Sequence, residues 1–192
     1  MPFHFAPTAI SDVILIDPAL FPDERGFFME SYKRSEFSAA GIRDSFIQCN
    51  HSKSSRGILR GLHYQKHPKA QAKLVRALSG EIYDVAVDLR RGAPTYGMWV
   101  GAMLSAENKK MLYVPVGFAH GFCVLSAEAE ILYMTTEEYA PLEEAGLLWN
   151  DPDLGISWPI SEPQLSPRDQ RWPPFARADN NFYYDRMQAK SF

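Results

Sequence analysis

The sequence predicts an all-β sandwich or barrel with a jelly-roll-like arrangement of strands. Eight short apolar segments of strand length follow one another closely along the 192 residues. Turn residues separate them, among them Gly80, Gly92-Ala93-Pro94 and Pro115-Val116-Gly117. Only one short segment has a helical pattern. Many short strands at close spacing are typical of all-β sandwiches and barrels.

The apolar segments carry the residue patterns expected of strands. Residues 82–89 alternate in type with period two, which indicates a strand with two distinct faces. The predicted apolar face of this strand consists of Tyr83, Val85, Val87 and Leu89. In chain order, the predicted strands are DVILID (12–17), GILRGL (57–62), AKLVRAL (72–78), EIYDVAVDL (81–89), GMWVGAML (97–104), KMLYVPV (110–116), GFCVLS (121–126) and AEILYMTTEEY (129–139).

Short helices and a long C-terminal segment complete the predicted domain. Residues 34–41 (RSEFSAAG) predict a short helix, with Ser35 as a possible N-cap and Gly41 as its stop. Ser166 and Pro167 resemble the start of another helix. The last forty residues are rich in Pro, Asp and Trp, and we expect them to wrap around the barrel as an ordered tail.

Composition and charge exclude several classes of function. The net charge is −3 with both signs interspersed, which disfavours a nucleic-acid or membrane-surface protein. No segment approaches the ~18–20 apolar residues of a membrane helix, and the N-terminus lacks the pattern of a signal peptide. Cys49 and Cys123 have apolar neighbours, so we expect reduced, buried thiols in a cytoplasmic protein.

Titratable residues occur on several predicted strands, where a barrel packed only for stability would carry aliphatic side chains. His120 lies in the segment PVGFAHGF (115–122) among apolar and aromatic neighbours. Each such residue alone could be a surface group or a hydrogen-bonded core group. Together they favour a common cavity. The residues are Arg60, His63, Lys73, Asp84, His120 and Tyr133.

A metal centre is the competing hypothesis for histidines on a β-barrel. His63 and His67 are four positions apart, which on a strand separates them by about 13 Å, too far to share one ion. The sequence contains no His-x-His pair. We therefore predict that the protein holds no metal.

Five segments occur in an order that is specific to one family. They are DERGFFMESY (23–32), RGLHYQ (60–65), AKLVRALSGEIYDVAVDLRRGAPTYG (72–97), PVGFAHGF (115–122) and NDPDLGISWP (150–159). Together they closely resemble the dTDP-4-dehydrorhamnose 3,5-epimerase family, the sugar-nucleotide epimerases of the cupin superfamily. The resemblance covers about residues 10–172. It implies a single cupin jelly-roll domain over residues 1–192, with a C-terminal tail from about 176 to 192.

The resemblance also implies a reaction. The family inverts C3 and C5 of dTDP-4-dehydro-6-deoxy-glucose in dTDP-L-rhamnose biosynthesis, by removing and returning protons alpha to the C4 ketone. In this sequence His63 matches the base and Tyr133 the acid on the other side of the sugar ring. Lys73 matches the cation that faces the enolate oxygen. Asp169 matches the acid that pairs with His63 and fixes its tautomer.

Further positions match substrate-binding residues of the family. Arg60 suits a diphosphate, because a guanidinium can bind it with two hydrogen bonds. His120 would border the sugar or the phosphate, although a structural role stays open, and Asp84 could assist either His63 or His120. The full set implied by the resemblance is Arg25, Phe28, Glu30, Gln48, Asn50, Arg60, His120, Tyr139, Glu144 and Arg168.

The resemblance implies a homodimer in which an N-terminal strand crosses to the partner. We expect no metal and no organic cofactor, because the ketone of the substrate acidifies the neighbouring protons. The expected ligand is a nucleotide sugar, with dTDP as the carrier. Two alternatives stay open: an epimerase that acts at C3 or C5 alone on another nucleotide deoxysugar, and a non-catalytic cupin that binds sugar nucleotides.

Overall fold

Strands dominate the computed structural model, which describes residues 2–185. In chain order they are β1 (Phe3–Pro7), β2 (Ile14–Pro18), β3 (Phe21–Asp23), β4 (Gly26–Phe28), β5 (Gln48–Ser55), β6 (Leu59–Gln65), β7 (Lys73–Ser79), β8 (Glu81–Asp88), β9 (Trp99–Ser105), β10 (Met111–Val114), β11 (Phe118–Val124), β12 (Glu128–Thr135) and β13 (Glu144–Gly146). The helix α1 (Arg34–Ala39) and two 3₁₀ helices (Asp169–Arg171 and Phe175–Arg177) complete the described elements.

Two antiparallel sheets form a sandwich. The larger sheet has six strands in the order β1-β2-β10-β7-β12-β5, and the smaller has five in the order β13-β6-β11-β8-β9. Strands distant in sequence lie side by side, such as β2 with β10 and β6 with β11. These crossovers are those of a jelly roll. The predicted all-β fold is confirmed, and each of the eight predicted strands is present.

The core lies between the two sheets. Ile82 and Ala86 of β8 pack there against Val75 and Ile131 of the larger sheet. The alternate side chains of β8, such as Val85, are also buried, but in a second cluster on the outer face of the smaller sheet. Both faces of β8 are therefore covered, and the predicted apolar face is the one that points away from the barrel interior.

The C-terminal segment covers this outer face. Leu147, Leu154 and Phe182 join the cluster that contains Val85, and the Tyr64 hydroxyl donates to the carbonyl oxygen of Asp179 at 3.0 Å. The predicted wrapping segment is thus confirmed for the part of the tail that the structure describes. Residues 186–192 of the predicted tail lie outside the described residues.

The helix α1 occupies the predicted position, but its predicted cap is wrong. Its N-cap is Lys33, not Ser35, and no side chain caps it. Gly41 ends it as expected, with a φ of 87° that favours glycine. No helix within residues 2–185 has the length and apolarity needed to cross a membrane.

The two cysteines differ in exposure. Both are free thiols, and Cys123 is buried on β11 as predicted. Cys49 is exposed on β5, so the predicted burial is wrong for this residue. The side chains of β5 that point towards the smaller sheet are at the even-numbered positions, which are the less exposed ones.

Two glycines let β6 and β11 approach closely where they cross. A Cβ atom at Gly61 would lie 2.5 Å from the Cα of Gly121, and one at Gly121 would lie 2.9 Å from the carbonyl oxygen of Arg60. The pairing of the strands shifts register here, and His120 of β11 lies opposite His63 of β6. The contact between the glycines therefore sets two histidines side by side.

Candidate active site

A cleft opens between the sheets, and polar side chains from both sheets line it. It consists of two adjoining cavities of about 350 Å³ and about 440 Å³. The residues that line both cavities are His63, Lys73, Tyr133 and Arg168. The cavities therefore meet at three of the four residues predicted for catalysis, His63, Lys73 and Tyr133.

His63 is held by a buried carboxylate. Its Nε2 lies 2.6 Å from Oδ1 of Asp169, which is only 3% exposed. Asp169 begins a 3₁₀ helix, and its N–H donates to Oγ of Ser166 at 3.1 Å. The N-cap of this helix is Arg168 and no side chain caps it, so the predicted cap at Ser166 is wrong. The indole N–H of Trp172 donates to the same Oδ1 at 3.3 Å. With Nε2 engaged, Nδ1 of His63 is the nitrogen left for a substrate proton.

Burial and pairing set the protonation states of this dyad. Burial lowers the pKa of His63 below its usual value of 6.5, and the hydrogen bond with Asp169 offsets part of that effect. Burial by itself would raise the pKa of Asp169. The hydrogen bond with His63 and the electrostatic attraction between the two side chains outweigh burial, so the pKa of the carboxyl is lowered. At neutral pH the pair is a neutral imidazole beside a carboxylate, the state that a general base needs.

Lys73 and Tyr133 enter the cleft from the opposite sheet. Lys73 of β7 pairs with Thr135 of β12, and Tyr133 pairs with Val75 two residues along, so both side chains point to the same face. Lys73 is partly buried, and this burial lowers its pKa to about 8. Burial raises the pKa of Tyr133, which keeps its phenol protonated and able to donate.

His120 is held by a buried carboxylate and also lines the cleft. It is 7% exposed, and its Nε2 lies 2.7 Å from Oδ1 of Asp84, which is fully buried. It also lines the larger cavity beside Phe122. Asp84 therefore pairs with His120 and not with His63.

Hydrogen bonds link the residues at the outer end of the smaller cavity. Oε1 of Gln48 accepts from the Tyr139 N–H at 2.9 Å, and Nε2 of Gln48 donates to Asn50 at 2.9 Å. Oε2 of Glu144 accepts from the Tyr139 hydroxyl at 2.8 Å and from Nη1 of Arg168 at 2.6 Å. Tyr139 is 53% exposed, so its ring is open to stacking.

Arg60 lines the larger cavity from β6. Its Nε donates to Oγ of Ser54 at 2.9 Å, and its Nη2 is 3.4 Å from the carbonyl oxygen of Lys53. These contacts fix the plane of the guanidinium at the edge of the cleft. The remaining N–H groups can bind an anionic ligand there.

Comparisons with known proteins agree with this arrangement. A family model described as dTDP-4-dehydrorhamnose 3,5-epimerase matches residues 7–177. The chain belongs to the dTDP-4-dehydrorhamnose 3,5-epimerase family. A relative of this name from Pseudomonas aeruginosa is 58% identical, over 89% of this chain and 95% of its own. Another from Shigella flexneri is 54% identical, over 90% of this chain and 96% of its own.

Solved structures of the dTDP-4-dehydrorhamnose 3,5-epimerase family have the same fold. A crystal structure of dTDP-6-deoxy-D-glucose-3,5-epimerase from Legionella pneumophila Philadelphia 1, in complex with dTDP-4-keto-L-rhamnose, matches with a TM-score of 0.89. It is 46% identical, and the match covers 92% of this chain and 95% of that one. The predicted cupin jelly roll is thereby confirmed.

Three of the residues matched to the epimerase family lie outside the cleft of their own chain. Arg25, Phe28 and Glu30 lie in or just after the hairpin β3–β4, and none of them lines either cavity. The side chain of Arg25 is 89% exposed and pairs with Asp23, while Phe28 is 65% exposed. The other eleven predicted site residues all line the cleft.

Sequence reasoning missed several residues of this epimerase-family cleft. Ser52 of β5 and Phe122 of β11 line the larger cavity, and Gln164 reaches it from the C-terminal segment. Trp172 donates a hydrogen bond to Asp169 through its indole N–H. The available signal was the alternation Gln48, Asn50, Ser52 along β5, which places polar side chains on one face of a strand.

The two histidines considered as metal ligands, His63 and His67, line different cavities. Within residues 2–185, no three His, Cys, Asp or Glu side chains lie close enough together to hold a metal ion. His67 is exposed beyond β6 and lines a different cavity of about 530 Å³, together with Asp12 and Arg90. That cavity contains none of the predicted site residues, and its Arg90 is already paired with Asp12 and Asp88. The polar cleft between the sheets is therefore the better candidate for chemistry.

Proposed function

We propose that this protein inverts C3 and C5 of dTDP-4-dehydro-6-deoxy-glucose, the reaction of a dTDP-4-dehydrorhamnose 3,5-epimerase. One observation carries the proposal: His63 and Tyr133 line the same cleft from opposite sheets, with Lys73 beside them. A base on one side of a sugar and an acid on the other side is what epimerisation requires. Inversion needs a proton to leave one face of the carbon and another to arrive on the opposite face.

Each proposed step uses a group in the protonation state described above. Nδ1 of His63 takes the proton alpha to the C4 ketone, and the electron pair moves to the ketone oxygen as an enolate. The ammonium of Lys73 stabilises that negative charge. The Tyr133 hydroxyl then gives a proton to the opposite face of the carbon, the ketone re-forms, and solvent restores the two residues. Asp169 stabilises His63 while it carries the proton.

The polar residues around this centre fit a nucleotide diphosphate. Arg60 and Arg168 supply the positive charge for the two phosphates, and Arg60 keeps free N–H groups at the cavity wall. Tyr139 has an exposed ring that can stack on the base, and Gln48 and Asn50 can hydrogen-bond to its edge. His120 would contact the sugar or a phosphate from the wall of the larger cavity.

A homodimer would bring the three outlying residues to a cleft. Phe21, Phe27 and Phe28 of the hairpin β3–β4 are each more than half exposed in the single chain. Such an apolar surface favours burial against another copy. We propose that Arg25 and Glu30 of this hairpin, with Phe28, complete the substrate site of the partner subunit.

The proposed chemistry uses only protein side chains and the substrate's own ketone. It therefore needs no metal and no organic cofactor. We further propose that residues 1–192 form one epimerase domain with a tail from about 176, and that the protein acts in the cytoplasm, where free thiols such as Cys49 stay reduced.

The experiment is incubation with dTDP-4-dehydro-6-deoxy-glucose in deuterated water, followed by NMR at C3 and C5. We expect deuterium and inverted configuration at both carbons, with the same rate after treatment with a chelator. Inversion at one carbon alone would identify a single-position epimerase. Tight binding of the nucleotide sugar without any exchange would identify a binding protein and would reject the proposal.

A further inference from the structure

Asp84 is a buried carboxylate directly behind the wall of the cleft. It lies on β8 with no exposed surface, and its Oδ1 holds Nε2 of His120 at 2.7 Å. Its Oδ2 is also buried and, within residues 2–185, has no hydrogen-bond partner. An unpaired carboxylate oxygen in the interior is costly unless another charge compensates it. The question is which cation does so.

Lys73 is a partly buried cation whose charge is poorly compensated by hydrogen bonds. Its Nζ is 3.5 Å from the carbonyl oxygen of His63, which is a long and weak hydrogen bond. Burial lowers the pKa of its ammonium to about 8, and two negative charges oppose that effect, those of Asp84 and Glu144. Asp84 faces the same interior as Lys73, because its same-face neighbours Ile82 and Ala86 on β8 pack in one cluster with Val75, the same-face neighbour of Lys73 on β7.

The carboxylate of Glu144 is more fully hydrogen-bonded to other side chains than that of Asp84. Its Oε2 already accepts hydrogen bonds from Arg168 and from the Tyr139 hydroxyl. Asp84 gives only one of its oxygens to His120. The charged and titratable residues that line the two cavities with Lys73 are Arg60, His63 and Tyr64 on β6, His120 on β11, Tyr133 on β12, Tyr139, Glu144 on β13, and Arg168 and Asp169 in the C-terminal segment. Asp84 on β8 lines neither cavity and lies behind His120.

We infer that Asp84 is a positioning residue for the proposed reaction: it orients His120 through one oxygen, and its remaining negative charge keeps Lys73 in the ammonium form. The inference rests on the proposed function for its effect on turnover. Loss of the Asp84 charge leaves the shape of the cleft intact but removes the counter-charge of Lys73. The lysine then loses its proton at lower pH, and the enolate loses its cation.

The variant Asp84→Asn tests this through the pH profile of kcat/KM. In the unmodified protein we expect the alkaline limb near the Lys73 pKa of about 8. In Asp84→Asn the limb should move to lower pH by about one pH unit or more, as expected when an opposite charge near a titratable group is removed. Activity near pH 6 should fall much less than activity at pH 8.

Asp88→Asn is the matched control. Asp88 is equally buried on the same strand, but its hydrogen bonds go to Arg90 and Thr95 and not to His120. We expect this variant to lose stability and to keep the alkaline limb where it was. If Asp84→Asn also keeps the limb in place, Asp84 is only a structural residue and the inference is wrong.

A measurement without substrate separates this inference from the proposed function. The signal of Lys73 in protein labelled at the lysine side chains is assigned with Lys73→Arg and titrated by NMR. Its midpoint should fall in Asp84→Asn and fall less in Glu144→Gln. If the unmodified protein does not turn over the sugar, the proposed function fails, while the titration still decides the role of Asp84.

Folding is checked by circular dichroism. Should Asp84→Asn fail to fold, the double variant Asp84→Asn/His120→Gln is titrated in its place, because two amides can keep a hydrogen bond without a charge. An unchanged Lys73 midpoint in a folded variant overturns the inference.

Discussion

At the scale of single residues, the environment shifts apart the pKa values of His63 and Tyr133, the two groups proposed for proton transfer. Burial lowers the pKa of His63 and raises that of Tyr133, so one is a base and the other an acid at the same pH. Asp169 keeps His63 oriented, because it is itself fixed by Ser166 and Trp172. Such separation of two titratable groups is a physical basis for assigning acid and base roles.

Tyr133→Phe should separate proton removal from proton delivery. Phenylalanine keeps the ring but has no proton to give, so His63 can still remove the substrate proton while delivery to the opposite face fails. In deuterated water we expect deuterium to enter the sugar while net inversion falls by roughly 10²-fold or more. Mass spectrometry and NMR of recovered substrate measure the two quantities. Unchanged inversion would show that another group is the acid.

Asp169→Asn should lower the turnover rate far more than substrate affinity. The amide can donate to the His63 ring and favour the wrong tautomer, and losses of roughly 10² to 10⁴ are typical for such a change. His63→Ala should be at least as severe. Because the two residues act as a unit, the double variant should be little worse than His63→Ala alone. Strictly additive losses, measured by steady-state kinetics, would instead mean that Asp169 only anchors the C-terminal segment.

The unmodified enzyme should have a bell-shaped pH profile. His63 acts as a base only when neutral, and because its pKa is lowered from 6.5, the acidic limb of kcat/KM should lie below pH 6.5. Lys73 acts only when charged, so activity should fall again above about pH 8. Initial rates from pH 4.5 to 9.5 test both limbs. An acidic limb above pH 7 would contradict the role given to His63.

At the scale of strands, the sequence predicted the strands whose apolar pattern is visible within a single segment. Eight apolar segments predicted eight strands, and five of the thirteen strands in residues 2–185 were missed, namely β1, β3, β4, β5 and β13. The strand β5 was missed because Gln48, Asn50 and Ser52 give its inner face no apolar pattern. That face is polar because it lines the cleft. The pair formed by His63 and Asp169, 106 residues apart, could be expected only from the family resemblance, since a side-chain contact between distant segments has no local signature.

Gly61→Ala should disrupt the crossing of β6 and β11. A methyl group there would lie 2.5 Å from the Cα of Gly121, and the neighbouring backbone cannot move away without separating His63 from His120. Gly26→Ala is the matched control, because Gly26 has a similar φ of +134° against +140° but nothing within 4 Å of a new Cβ. Both variants bear backbone strain, and the extra loss in Gly61→Ala should be about 1–3 kcal/mol by urea unfolding. Equal losses would mean that crowding at the crossing is unimportant.

At the scale of the whole molecule, the hairpin β3–β4 carries a cluster of exposed phenylalanines that a single chain leaves uncovered. Phe21 and Phe28 are 53% and 65% exposed, and the hairpin belongs to neither large sheet. Arg25 at its tip makes an exposed ion pair with Asp23, which contributes little to stability. A role in the partner's cleft would explain both features.

Mixed dimers test that role directly. Arg25→Ala should abolish most activity without loss of dimer, while the control Arg177→Ala, another exposed arginine that lines neither cavity, should keep it. Co-expression of Arg25→Ala with His63→Ala then forms dimers in which one cleft has an intact His63 from one chain and an intact Arg25 from the other. With random pairing, about a quarter of all clefts are complete, so roughly a quarter of the normal activity should return. If Arg25 serves the cleft of its own chain, no pairing restores a complete site and the mixture stays inactive. Sedimentation of the separate variants and of the mixture verifies that dimers are present in every sample.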